Sequence, residues 1–240
     1  MVVREKVSYF GASVRGPAHR AESKPNEDCW LGATGRFGTL IVVSDGLGSK
    51  PQARRGAQSA CVATLRALRS WFAEDAGSVE RIPDRIEALW HDAVAPFTGA
   101  DCASTCLVAA ALRDGRTFVA ALGDGMAAVR VRGVVERVEP PRGAAFLNET
   151  MCLGGTGAWS IRCFNASEID AVVLASDGVA DDLVPARIPA FVEWLVQDIA
   201  PLAPPLRWRT LRRELTEWPT PRHLDDKTLA VLLLRPLGAS

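Results

Sequence analysis

The sequence predicts an α+β fold, and three observations carry that prediction. Apolar runs of strand length recur at residues 40–44, 105–112, 171–176 and 229–234, each reading as a buried strand. Two segments repeat apolar residues at helical spacing instead. Ala57, Ala60, Cys61, Thr64, Leu65, Leu68 and Trp71 or Phe72 mark one helix, and Ile86, Leu89, Trp90 and Val94 mark another, so each packs one face on a sheet. Turn signals then join neighbouring strands as hairpins: the Gly-rich residues 32–38, Asp114-Gly115 and Arg132-Gly133. The 240 residues, 48% hydrophobic and 23% charged, suffice for one large domain over residues 1–240.

Charge and cysteines narrow the class. Lys+Arg and Asp+Glu balance at 28 each, which gives no general attraction to nucleic acid or to an anionic membrane. The first residues lack the apolar core of a signal peptide, and the longest apolar stretches fall far short of the roughly 20 residues of a membrane span. The six cysteines form no Cys-x-x-Cys pair, so they read as reduced core residues and not as zinc ligands. These features point to a cytoplasmic protein with neither nucleic acid nor membrane as partner.

Taken in order, residues 7–14 alternate and read as a first strand, and residues 16–25, with glycine and prolines, as a loop. Glu27 and Asp28 open a short strand, and the following hairpin brings residues near 28 and 45 to one end of paired strands. Pro51 fits a helix start. After the two helices, residues 100–104 form a small-residue loop; strands at 105–112, 117–122, 126–131 and 134–138 continue as a meander. Residues 140–157 are irregular, a surface loop near the site. A strand at 159–164 precedes the 171–176 strand. Residues 179–183 open a helix, with Asp181 and Asp182 as first-turn acids. Residues 188–199 are helical with Trp194 and Leu195 buried, 201–205 a linker, and 206–218 a basic amphipathic helix whose interspersed Glu214 and Glu217 mark a solvated face. His91 reads as a surface or core-edge histidine.

The chemistry lies where strands end. Residues 40–44 lead into Asp45-Gly46, and residues 171–175 into Ser176-Asp177-Gly178. Two strands ending in Ser-Asp-Gly suggest carboxylates converging at neighbouring strand ends. Glu27, Asp28, Asp124, Asp225 and Asp226 also flank strands. Gathering them without cations costs several kcal/mol in repulsion and desolvation. Hard divalent cations remove that cost, and carboxylates with water suit Mg²⁺ or Mn²⁺. Such ions activate water and neutralise a phosphoryl oxygen, so the residues point to metal-assisted hydrolysis, most naturally of a phosphate ester.

Asn26-Glu27-Asp28, Ser44-Asp45-Gly46-Leu47-Gly48, Ala103-Ser104-Thr105, Leu122-Gly123-Asp124-Gly125, Ala175-Ser176-Asp177-Gly178 and Asp225-Asp226-Lys227-Thr228 resemble, in order, the motifs of the metal-dependent PP2C (PPM) serine/threonine phosphatases, and closely those of their short bacterial branch. The resemblance implies an α-β-β-α sandwich of two antiparallel sheets flanked by helix pairs. It implies hydrolysis of phosphoserine and phosphothreonine by a metal-bridging hydroxide, with two Mn²⁺ or Mg²⁺ ions and a third, weaker one. Asp45 would bridge the two ions; Glu27 and the Gly46 carbonyl would hold one; Asp177 and Asp225 would hold the other, with Asp28 in its water shell and Asp124 at the third. The implied partners are a phosphoprotein substrate and a cognate Ser/Thr kinase.

Three positions depart from that pattern. Ser23 stands where the family often has a phosphate-gripping arginine, leaving Lys24 and Arg20 (or Arg15) as substitutes; a lysine offers a point charge without the bidentate fork. Leu47 stands where animal members have a histidine as leaving-group acid, leaving His19 or a metal-bound water for that role. Asp226 stands where the family commonly has asparagine. The segment that forms a flap in many bacterial members, here roughly residues 144–167, is short. A silent, phosphoprotein-binding module on the same scaffold is the alternative, and action on nucleic acid or membrane through residues 206–218 a third.

Overall fold

The computed structural model describes residues 7–74, 77–138, 151–155, 157–219 and 224–234. Among the described residues, ten strands form two five-stranded sheets. One sheet has the order β1 (Ser8–Val14), β10 (Lys227–Leu233), β9 (Ile169–Ala175), β6 (Met126–Val131), β7 (Val134–Arg137). The other has the order β2 (Asp28–Gly35), β3 (Gly38–Asp45), β4 (Cys106–Leu112), β5 (Arg116–Leu122), β8 (Ser160–Asn165). Every neighbouring pair is antiparallel.

The two sheets face each other, and helices cover both outer faces. This explains why the central strands read as continuous apolar runs: each is buried on both sides. In β3, Ile41 and Val43 join Leu107, Val172, Leu174 and Leu232 between the sheets. Their neighbours Leu40 and Val42 point the other way, onto Cys61, Leu68, Ile86 and Trp90 of α2 (Ala53–Ala73) and α3 (Ile82–Val94). On the opposite face, Val173, Leu229 and Val231 meet Val192 and Leu195, and Leu211 and Leu215 of α6 (Pro204–Thr216). The resulting order is helices, sheet, sheet, helices: the α-β-β-α sandwich.

Several expectations need correction. Residues 16–25 contain a short helix, α1 (Pro17–Ala21), seeded by Pro17 at its first turn. The first hairpin turns at Arg36-Phe37, so Gly32 and Gly35 belong to β2. β6 and β7 do not extend the β4–β5 meander; the chain crosses at Gly123-Asp124-Gly125 into the other sheet, where β6 pairs with β9. The helix expected from 179 starts earlier, as α4 (Asp177–Ala180), which places Asp181 and Asp182 after it. The 188–199 helix is α5 (Ile188–Trp194) continued by a π-helical turn at Leu195–Ile199, with Leu195 buried but Trp194 only half-buried. Pro204 and Pro205, taken as linker, are the first residues of α6. Cys163 is exposed, unlike the buried Cys61, Cys102, Cys106 and Cys152. Most of the 140–157 loop lies outside the described residues; its Leu153 pairs with Ser104 through 2.9 and 3.3 Å backbone bonds. Among the described residues no helix is long and apolar enough to cross a membrane.

Trp90 anchors the α2–α3 layer: it is fully buried, and its indole N–H donates to the Gly56 carbonyl at 3.0 Å. Trp90→Ala is expected to lower stability by about 3–5 kcal/mol in urea denaturation; a loss under about 1 kcal/mol would show that this layer contributes little to the fold.

Candidate active site

The two Ser-Asp-Gly strand ends repeat one piece of local chemistry. Each serine ties its strand to a neighbour. Ser44 Oγ donates to the Thr105 carbonyl at 2.6 Å, while Ser176 Oγ donates to Asp28 Oδ2 at 2.8 Å and accepts from the Thr228 N–H at 3.0 Å. Each glycine lets a second backbone close in. A Cβ on Gly46 would sit 2.3 Å from the Ala53 carbonyl oxygen at the start of α2; one on Gly178 would sit 2.0 Å from the Asp226 carbonyl oxygen. Glycine is therefore required after each aspartate for steric reasons.

These constraints gather carboxylates from both sheets. The β2–β3 register sets Asp28 opposite Asp45. The Asp45 carboxyl contacts those of both Asp28 and Asp177, so it lies between an acid of its own sheet and one of the other. Asp124, at the β5–β6 crossover, and Asp225, before β10, act on Asp177 by charge. The Asp45 N–H is held by Thr105 Oγ1 at 3.0 Å, and the Gly46 N–H by the Glu27 carbonyl at 3.3 Å.

Burial, and then the negative charges of Asp28 and Asp177, push Asp45 far above the ordinary carboxylate range. Burial pushes Asp28 up to about 7, against the opposing contacts with Asp45, Thr228 and Ser176. Asp177 is raised by burial and by Asp124 and Asp225. Glu27 is raised chiefly by burial, with His19 opposing. Three oxygens of this set, Glu27 Oε2, Asp28 Oδ1 and Asp177 Oδ1, are buried with no hydrogen-bond partner. Buried acceptors with raised proton affinity and no donor fit divalent cations, which satisfy lone pairs and cancel the repulsion together.

A second arrangement abuts the first. Asp226 is 1% exposed and accepts the Gly16 N–H on Oδ1 and the Glu27 N–H on Oδ2, both at 2.6 Å. Oδ2 also lies 2.8 Å from His19 Nδ1. His19 Nε2 in turn is 3.7 Å from Glu27 Oε2. Burial lowers the His19 pKa, but the bond and charge of Asp226, helped by Glu27 and Asp225, outweigh it and raise the imidazole overall. Ligand atoms of His19, Asp225 and Asp226 lie within 4.8 Å of one another. The sequence names His19 and Asp226 separately; the pairing depends on α1, which it does not reveal.

The phosphate-gripping candidates are both exposed. Lys24 is exposed and pairs with Glu22 at 2.8 Å, and Arg20 is exposed on α1. The residue that sequence reading missed is Lys227, almost fully buried, with Nζ 3.0 Å from the Asp225 carbonyl oxygen. Burial lowers its pKa, against the pull of Asp182 and Asp225. Its place between Asp226 and Thr228 was the available signal. His91 is exposed and packs edge-on against Trp90.

The family model "Protein phosphatase 2C" matches residues 15–218. The chain belongs to the protein phosphatase 2C family. Solved structures bear out the fold. A bacterial serine phosphatase superposes with a TM-score of 0.66 at 17% identity, covering 96% of this chain and 98% of its own. The photosystem II phosphatase PBCP gives 0.65 at 16%, covering 95% and 98%. The Mycobacterium tuberculosis serine/threonine phosphatase PstP/Ppp gives 0.61 at 14%, covering 96% and 99%. No curated protein matches the sequence. Within this PP2C fold the departures noted above take concrete form. Ser23 adopts a left-handed backbone, φ 59°, and Leu47 is half-buried with its N–H bonded to the Ala103 carbonyl.

Asp226→Asn removes one acceptor, because an amide nitrogen cannot accept the bonds that Oδ2 receives. Urea denaturation in EDTA is expected to show a loss of about 1.5–3 kcal/mol; an unchanged midpoint would mean that Asp226 does not tie α1 to β2 and β10.

Proposed function

We propose that this PP2C-family chain is a metal-dependent protein phosphatase that removes phosphate from serine and threonine, working as one domain over residues 1–240. The observation that supports it most is the Asp45 carboxyl set between Asp28 and Asp177, beside buried oxygens with no donor. Asp45 would bridge two Mn²⁺ or Mg²⁺ ions, with Glu27 and the Gly46 carbonyl on one and Asp177 and Asp225 on the other. Asp28 would hold a water of the second, and Asp124 would help hold a third, weaker ion. When bound, the ions supply a nucleophilic water at neutral pH and neutralise phosphoryl charge.

The chain's own groups do the rest. Ser176 fixes one Asp28 oxygen and leaves the other to orient water. The Asp226 carboxylate accepts from Nδ1 of His19 and favours the imidazolium, whose Nε2–H would then give its proton to the departing seryl or threonyl oxygen and leave the neutral ring. Lys24 and Arg20, at the exposed rim, would meet the phosphoprotein; Lys24 must first exchange Glu22 for phosphate. A cytoplasmic phosphoprotein, phosphorylated by a cognate Ser/Thr kinase, is the substrate in this reading. A catalytically silent phosphoprotein-binding module is the second reading, favoured by Ser23 and Leu47 at two functional positions.

Hydrolysis of a phosphothreonine peptide is expected with Mn²⁺ and not with EDTA. Asp45→Asn and Asp177→Asn should each lower kcat by more than about 100-fold, the upper range for residues one shell further out, while circular dichroism stays unchanged. Metal-independent turnover, or full turnover in either variant, would refute the assignment. No turnover with metal bound would favour the silent module.

A further inference from the structure

The helix layer of the β1/β10/β9 sheet carries a cavity that the metal chemistry does not use. It measures about 480 Å³, within the range of built ligand pockets. Its walls include the aromatic rings of Phe191, Trp194 and Trp218 and the carboxylates of Asp182, Glu214 and Glu217; among the described residues, no lysine or arginine lines it. The rings are fixed in place. Phe191 stacks on Trp194 at 5.7 Å and meets Trp218 edge-on at 5.8 Å. The Trp218 indole N–H donates to Asp182 Oδ2 at 3.2 Å. All three aromatics are half-buried.

Half-exposed aromatics and three acids in one concave site have a common preference: a cation that also presents apolar or planar surface. Arg213 donates to Glu214 from the exposed side of α6 and does not line the cavity. We propose that this cavity binds an arginine side chain presented by a peptide segment of a partner protein. A guanidinium stacks on indole faces, gives up its hydration more readily than an ammonium, and bonds carboxylates with a fork of N–H donors. The cavity lies on the side of the acid site, since its wall residue Asp182 follows shortly after α4, which begins at Asp177. The proposal does not rest on catalysis and is tested without it.

Isothermal titration of the full chain in EDTA, with a short unphosphorylated peptide carrying one arginine, tests it directly. Saturable binding at millimolar concentration or below is expected, weaker for the lysine peptide and absent for the alanine peptide. Trp218→Ala and Glu217→Gln should each weaken it at least about fivefold. Glu217 is exposed near the end of α6, so its variant keeps the fold even where loss of the indole does not. Equal behaviour of the arginine and alanine peptides, or undiminished binding in Glu217→Gln, would overturn the proposal. Tighter binding of a trimethyllysine peptide would overturn the guanidinium assignment in favour of a quaternary ammonium.

Discussion

Contact between the Asp28, Asp45 and Asp177 carboxyls is the constraint around which the rest of the molecule is arranged. Three carboxyls, one buried and two half-buried, do not come together spontaneously: desolvation and mutual repulsion both oppose it. The strands that carry them must therefore be held by interactions that do not depend on the site. The central strands β3, β9 and β10 are buried on both faces, and their registers are locked by continuous apolar packing. A slip of one residue in any of these strands would exchange its two buried sets. The sandwich thus carries the cost of the acid cluster, which a bound divalent cation would relieve.

How the acids are held is as local as how they are gathered. The serine before each aspartate binds a neighbouring strand, and the glycine after it admits a foreign backbone to a distance at which any side chain would clash. Three consecutive residues perform three separate tasks. This is why the repeated Ser-Asp-Gly was legible in the sequence: each requirement acts on a residue type, at a fixed place after an apolar run. The pairing of Asp28 with Asp45 was legible for a similar reason, because a hairpin fixes its own register.

What the sequence did not disclose arises from contacts between distant segments. No local signal marks the crossing at Gly123–Gly125 that carries β6 to the other sheet, since either sheet offers it an apolar neighbour. The short α1 hides in a stretch rich in glycine and proline, and with it the approach of His19 to Asp226, 207 positions away. The same holds for the aromatic cavity, whose walls come from the segment after α4, from α5 and from the end of α6. Asp226 could be read as an unusual charge, but its three bonding partners come from other parts of the chain. Lys24 reads as available for phosphate, but the neighbouring Glu22 already pairs with it.

Under the proposed function, Asp45 is the shared support of a two-ion site. Anomalous diffraction from crystals soaked in Mn²⁺ tests it most directly. The account predicts two manganese peaks flanking the Asp45 carboxylate, one toward Glu27 and one toward Asp177. No peak at Asp45, or manganese confined to His19, Asp225 and Asp226, would contradict it.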